Sequence, residues 1–201
     1  MISMPEGRTA PASLAILALV ACCSALFAKR SEIVEGNPAS PVRVVIYEDL
    51  QCSDCERFRS LLDEKILPRY GSRVAFVHRD FPLGKHEWAR QAAVAARWVY
   101  AQDPDLGITF RRELMAEHDH ITPANLRGWL QEFAARNHLD EKGILDSITA
   151  PQLVAMVDQD YQGGVARGVA QTPTVYVGGQ KLVETILYDD FARALDIELG
   201  R

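Results

Sequence analysis

Basic residues never run longer than two in this chain, and its formal net charge is −5. No electropositive stripe exists to follow a phosphate backbone, so nucleic acid is excluded as a partner. There is no internal repeat and no low-complexity tract, which excludes solenoids, propellers and tethered arrays. The five histidines, His78, His86, His118, His120 and His138, share no metal-binding spacing apart from the His118/His120 pair, which reads as solvated loop residues. No metal or other cofactor is expected. Cysteine is scarce, with four in 201 residues. Cys22 and Cys23 lie in an apolar N-terminal run, which leaves Cys52 and Cys55 without the further ligands that a structural zinc site requires. With 48% hydrophobic residues, the remaining chain can bury one good core.

What the chain does have, at its start, is a long apolar run. Residues 10–28 carry no charge, with Arg8 before them and Lys29-Arg30 after. Residues 1–28 therefore read as a signal peptide or an N-terminal membrane anchor. Cleavage after Ala25 would place Cys23 and Ala25 at the small-residue positions. Leu19-Val20-Ala21-Cys22 also resembles a lipoprotein box, which implies lipidation of Cys22, although the run continues apolar to Ala28 where such a tether is usually polar. Lys29-Arg30 outweigh Arg8, so the charge rule does not fix the orientation. Either way the chain is expected to be extracytoplasmic, in a bacterial periplasm or cell envelope, where disulfides persist.

Residues 29–40, with Gly36, Asn37 and Pro38, read as a linker into a single domain over 41–201. Val42–Tyr47 is a strand. A helix starting at Cys52 runs to about Leu67 and is stopped by Pro68, and Arg73–His78 is a second strand, so the three form a right-handed parallel unit. The middle, about 86–150, is helical. Glu87–Gln102 sets Trp88, Ala92, Ala95 and Val99 on one stripe, and Thr122-Pro123 opens a helix with Leu126, Trp129, Leu130 and Phe133 inward. These aromatics read as core. Another helix spans Pro151–Gly163. Thr174–Val177 and Gln180–Val183 form a hairpin around Gly178-Gly179, and Tyr188–Leu199 closes the chain as a helix. The fold class is α/β: a mixed sheet with a helical insertion between a βαβ half and a ββα half.

Cys52-Ser53-Asp54-Cys55 sits where the first strand runs into its helix, at the C-terminal end of the strand, where open α/β sheets carry their chemistry. A sulfur at a helix N-terminus lies among unpaired backbone N–H groups in a field that favours an anion, so the Cys52 thiol should ionise readily. Thiolate is the species that attacks disulfides. Cys55 shares a face with Phe58, Leu61, Leu62 and Ile66 and should be the more buried of the two. A purely structural disulfide would close too short a loop to stabilise much. The pair reads as a redox site.

Three segments, YEDLQCSDCERF, VHRDFPLGKHEWARQAAVAAR and GVAQTPTVYVGGQKL, resemble in order the active-site, mid-domain and cis-proline segments of DsbA-like thiol-disulfide oxidoreductases of the thioredoxin fold, over about residues 40–199. The resemblance implies that Cys52 is the nucleophile, Cys55 the resolving cysteine, and Pro173 a cis-proline facing the pair with Thr172 before it. It also implies exported cysteine-containing proteins as substrates, a membrane redox partner that resets the disulfide, and no bound cofactor. Some relatives relay a proton to the buried cysteine through a carboxylate near the motif. Glu48 and Asp49 are the candidates here, with strand-end surface acids as the alternative. Three departures stand out: Ser53 replaces a common proline, Gln171 replaces the usual glycine before Thr-Pro, and Asp54 puts a carboxylate inside the motif. A lone Asp54 charge at about 8 Å would oppose the Cys52 thiolate by roughly half a pK unit, so Ser53 and Asp54 are expected to tune the redox balance and leave its direction open. The competing reading is a thioredoxin-fold copper-binding metallochaperone. Such proteins use a CxxxC spacing, and here the spacing is CxxC with the cis-proline segment intact.

Overall fold

The computed structural model describes residues 32–200. The segment 1–28, with the expectations of cleavage, anchoring and Cys22 lipidation, lies outside them. Five strands form one sheet in the order β1-β3-β2-β4-β5: β1 (Ile33–Gly36), β2 (Arg43–Glu48), β3 (Ala75–Asp80), β4 (Thr174–Val177) and β5 (Gln180–Val183). β2 and β3 run parallel, with Ile46 opposite His78 and Glu48 opposite Asp80, and the other pairs are antiparallel. The mixed sheet with helices inserted between β3 and β4 is the thioredoxin-like class read from the sequence.

β1 corrects the reading of residues 29–40 as a linker. Ile33-Val34 supply a β-branched pair that docks antiparallel on β3, with Ile33 opposite His78 and fully buried. Gly36 ends the strand at φ +83, where a Cβ would stand 2.5 Å from the Val74 carbonyl oxygen. A strand of four residues with one buried side chain has too little periodicity to be seen in sequence.

After β2 the chain enters α1 (Ser53–Leu61), passes through a π-helical turn (Leu62–Ile66) and continues as α2 (Leu67–Tyr70). The expected stop at Pro68 does not occur. The Leu67 N–H bonds five residues back to the Leu62 carbonyl, and this wider turn admits a proline that has no N–H to give. Phe58, Leu62, Ile66 and Tyr70 are buried against Val44, Ile46, Phe76, Val175, Val177 and Phe191, and each such side chain contributes roughly 1.5–3 kcal/mol.

The insertion comprises α3 (Ala89–Gln102), α4 (Pro104–Ala116), α5 (Leu126–Arg136) and α6 (Glu141–Ser147). α7 (Pro151–Ala166) follows, and α8 (Tyr188–Glu198) ends the fold. Asp103 and Pro104 separate α3 from α4: the Asp103 side chain accepts from Leu106 N and Pro104 occupies the first turn. The helix expected from Thr122-Pro123 begins later, at Leu126, because Thr122 and Asn125 exchange side-chain bonds that close a separate turn first. Trp88, Phe110, Leu114, Leu126, Leu130 and Phe133 form the second core, and Leu50, Cys52 and Cys55 belong to it. The cysteines thus pack against the insertion, while the sheet-facing residues of the same helix belong to the other core. Among the described residues no helix is long and apolar enough to cross a membrane.

Candidate active site

Cys52 is the N-cap of α1, in extended conformation at φ −89 and ψ 123. Its N–H donates to Asp49 O at 3.1 Å, and its carbonyl accepts from Glu56 N at 3.0 Å. Its sulfur is 3.4 Å from the carbonyl oxygen of Thr172, to which the thiol donates. Cys55, one turn into the helix, accepts the Asp49 backbone N–H on its sulfur at 3.4 Å. Both are free thiols. Cys55 is fully buried and Cys52 is 7% exposed, so the two ends of the motif differ in the expected sense, although Cys52 is more enclosed than a surface cap.

The surroundings push the two thiols apart. A hydrogen bond from Cys55, aided by Thr172, the Cys55 backbone N–H and the charge of His86, outweighs burial and lowers Cys52 to about 5. Burial, followed by the bond to Cys52 and the charge on it, pushes the Cys55 thiol well above the usual range.

The second wall is the loop before β4. The Thr172–Pro173 peptide bond is cis, and the Thr172 hydroxyl is buried without a hydrogen-bond partner. It is placed to donate to the Cys52 sulfur once that sulfur is ionised. Glu184 braces the loop: its N–H donates to Pro173 O at 2.8 Å, and its carboxylate accepts the Gln171 amide at 2.8 Å. Gln171, a departure from the family pattern, thus has a partner on the far side of the hairpin.

Glu48 and Asp49 are both buried, at 3% and 1% exposure, which removes the surface-acid alternative. Yet they differ. Burial would raise Glu48, but His78 Nδ1 at 2.8 Å and the Arg111 guanidinium, Nη2 at 2.9 Å, hold it at about 2. Asp49 accepts from Gln51 N, Leu83 N and His86 Nδ1, each at 2.7 Å, and burial still raises its pKa. Asp54 is turned onto Arg57 in a solvent-facing pair, and Ser53 is exposed. The lone carboxylate assumed at that position is therefore an ion pair.

Sequence reasoning missed the charge network behind the site. Glu48 leads through Arg111 to Asp80, through Arg97 to Asp160, and on to Arg79. On the other side it leads through His78 to Glu35, Arg59 and Asp63. The signal available was charge at strand positions that should be apolar, Glu35, His78 and Asp80, together with Arg97 and Arg111 on buried helix faces.

A paired-cysteine helix N-terminus facing a cis-proline loop on a mixed sheet defines the class of thioredoxin-fold thiol-disulfide oxidoreductases. A family model described as thioredoxin matches residues 28–197. Disulfide bond formation protein D of Bacillus subtilis is 25% identical over 180 residues, covering 85% of this chain and 78% of that protein. The crystal structure of Wolbachia pipientis alpha-DsbA1 superposes with a TM-score of 0.72 at 19% identity, over 84% of this chain and 91% of that one, a likeness of fold. A Na(+)/H(+) antiporter NhaA of Herminiimonas arsenicoxydans is 25% identical over 150 residues, which is 74% of this chain but only 22% of that protein. The chain belongs to the thioredoxin family.

Proposed function

We propose that this protein exchanges disulfides with exported cysteine-containing proteins through Cys52 and Cys55, outside the cytoplasm. A substrate thiolate attacks Cys52 Sγ and breaks the Cys52–Cys55 bond. Cys55 leaves as thiolate and takes a proton, which its raised pKa favours. A second substrate thiolate then attacks the substrate sulfur of the mixed disulfide and releases Cys52 as thiolate, so two electrons pass from the substrate thiols to the pair. A membrane redox partner would remove them. The observation that carries this reading is the placement of the two thiols: Cys52 caps the helix against Thr172 while Cys55 is fully buried, so that Cys52, lowered to about 5, is mostly thiolate at pH 7. A stabilised thiolate favours the reduced form and makes the disulfide a ready oxidant. The apolar N-terminal run and the likeness to disulfide bond formation protein D of Bacillus subtilis support the location and the substrate class.

Of the two acids considered as a proton relay to Cys55, Asp49 suits the role. Glu48 is locked as an anion by His78 and Arg111, whereas Asp49 has a raised pKa and touches the Cys55 sulfur through its own backbone. Thr172 and Pro173 are assigned to the substrate-facing wall. The test uses two variants, each lacking one cysteine of the pair. Cys52→Ser should abolish insulin reduction and glutathione exchange, and Cys55→Ser should accumulate mixed disulfides at Cys52. Faster alkylation of Cys55 than of Cys52 in the reduced protein would reverse the roles. Stoichiometric Cu(I) in protein purified without chelator, with no exchange activity, would favour the metallochaperone.

A further inference from the structure

The motif itself supplies no cation for the Cys52 thiolate. Ser53 is uncharged, Asp54 is spent on Arg57, and Glu56 accepts from Ser60 Oγ at 3.2 Å. The wall opposite, Thr172 and Pro173, is neutral. Glu48 behind the pair is anionic and matched by His78 and Arg111. The nearest basic side chain that the cysteine turn itself holds is His86, whose charge, when protonated, favours the Cys52 thiolate; it lies thirty-four residues along the chain, flanked by the exposed Lys85 and Glu87.

His86 is tied to the cysteine turn by a short chain of bonds. Its Nδ1 is 2.7 Å from Asp49 Oδ2, and the same oxygen accepts Leu83 N at 2.7 Å. The His86 N–H in turn bonds Leu83 O at 2.9 Å. The other Asp49 oxygen accepts Gln51 N at 2.7 Å, and Gln51 Oε1 accepts Trp88 N at 3.0 Å, a second cross-link from the same loop. Asp49 contacts both cysteines through its backbone, giving its N–H to Cys55 Sγ and taking the Cys52 N–H on its carbonyl. The His86 side chain is 16% exposed, so protons reach it from water.

We propose that His86 is a positioning residue of the cysteine pair: anchored to the CxxC turn through Asp49, it is the group whose protonation accompanies reduction of the disulfide and holds the Cys52 sulfur as thiolate. The proposal rests on the oxidoreductase reading above. Reduction by two thiols forms one substrate disulfide and breaks the Cys52–Cys55 bond. Two electrons enter the pair and two protons are released by the attacking thiols. One proton stays on Cys55. The second adds to His86 Nε2 when that nitrogen is free, its Nδ1–H being given to Asp49, and otherwise goes to water. The same charge that a cation inside the motif would supply comes here from the loop after β3.

Linkage makes this testable in both directions, because the effect of His86⁺ on the thiolate must equal the effect of the thiolate on His86. Titration of His86 by NMR in the reduced and oxidised protein should show proton affinity about fivefold higher in the reduced form. His86→Gln, which keeps a hydrogen-bond donor toward Asp49, should weaken Cys52 acidity by the same factor in thiolate absorbance. It should also shift the glutathione equilibrium about fivefold toward the disulfide at pH 6, and less at pH 8. A merely structural role would lower the melting temperature without this pH-dependent shift. Identical His86 titration in the two redox states overturns the proposal, as does an unmoved Cys52 in folded His86→Gln. If that variant fails to fold, the wild-type titration still decides. Wild-type protein without any exchange activity would overturn the function itself, whereas active protein with an indifferent His86 overturns only this role.

Discussion

Glu48 and Asp49 are neighbours in the chain, yet they belong to two differently built regions. Glu48 sits in a network where each buried charge meets fixed opposite charges, His78 and Arg111 on one carboxylate, Asp80 and Glu48 on one guanidinium. Asp49 belongs to the cysteine turn, where the buried sulfur of Cys52 has neutral hydrogen-bond partners and one orphaned hydroxyl nearby. The two carboxyl groups shift in opposite directions as a result. Full compensation makes a group inert, because neither gaining nor losing a proton is then favourable. Reactivity is kept where compensation is incomplete.

Breaking the compensated side should have the largest effect. Arg111→Met leaves Glu48 and Asp80 short of a buried counter-charge and should cost roughly 3–5 kcal/mol in urea unfolding. Adding Glu48→Gln to the same protein should recover part of that loss, since it removes one of the stranded charges. A cost below 1 kcal/mol for Arg111→Met would mean that water or neighbouring arginines already balance the network. The acid side of the comparison follows from the same pairs. Glu35 and Glu48 are both held at about 2 against an ordinary 4.5. A depressed carboxyl pKa contributes stability that is complete above the unfolded value and lost as pH falls through the folded one, so the protein should lose stability between about pH 4.5 and 2.

The cysteine side responds at a different pH and only in one redox state. Cys52 is lowered from 9.0 to about 5 in the folded protein, and the disulfide has no thiol to titrate. Its contribution is therefore fully present above the unfolded value and is lost as pH falls through about 5. Between pH 6 and 8 the unfolded chain holds a proton on this sulfur that the native state does not. The reduced protein should gain roughly 1.4 kcal/mol per pH unit over the oxidised protein across that window, about 2–3 kcal/mol in all. Parallel unfolding of the two forms at pH 6, 7 and 8 measures it, and a constant difference would place the native Cys52 thiol near its ordinary pKa.

The cysteine turn was more legible in sequence than the network because its signal is local. Two cysteines at fixed spacing, a strand before them and a helix after them specify a helix N-terminus without tertiary knowledge. Thr172 and Pro173 were placed opposite by resemblance, since nothing in a Thr-Pro dipeptide says which wall it will face. The partners of Glu48 come from β3 and α4, and their pairing depends on register, with Glu48 opposite Asp80 across parallel strands. No periodicity encodes that. β1 was lost for the same reason: four residues beside Gly36 and Pro38 read as linker, and only docking against His78 and Val77 makes them a strand. The π-helical turn that carries the helix past Pro68 was likewise invisible, because a proline in a helical pattern reads as a stop.

The finest test of the comparison is Asp54, the one charge inside the motif. As a lone carboxylate it would oppose the Cys52 thiolate by roughly half a pK unit at about 8 Å. In the structure it is turned onto Arg57, whose side chain is 65% exposed, so the pair presents almost no net charge to the sulfur. Asp54→Asn leaves Arg57 as an unpaired cation and should lower the Cys52 pKa, by less than about half a unit because that exposed side chain is free to move out into solvent. Arg57→Ala, which strips the partner and frees the carboxylate, should raise Cys52 by up to about half a unit. Thiolate absorbance of both variants against the parent protein decides. A large downward shift in Asp54→Asn with no effect of Arg57→Ala would show that Asp54 acts on the thiolate as an uncompensated charge, and the cysteine turn would then contain its own brake.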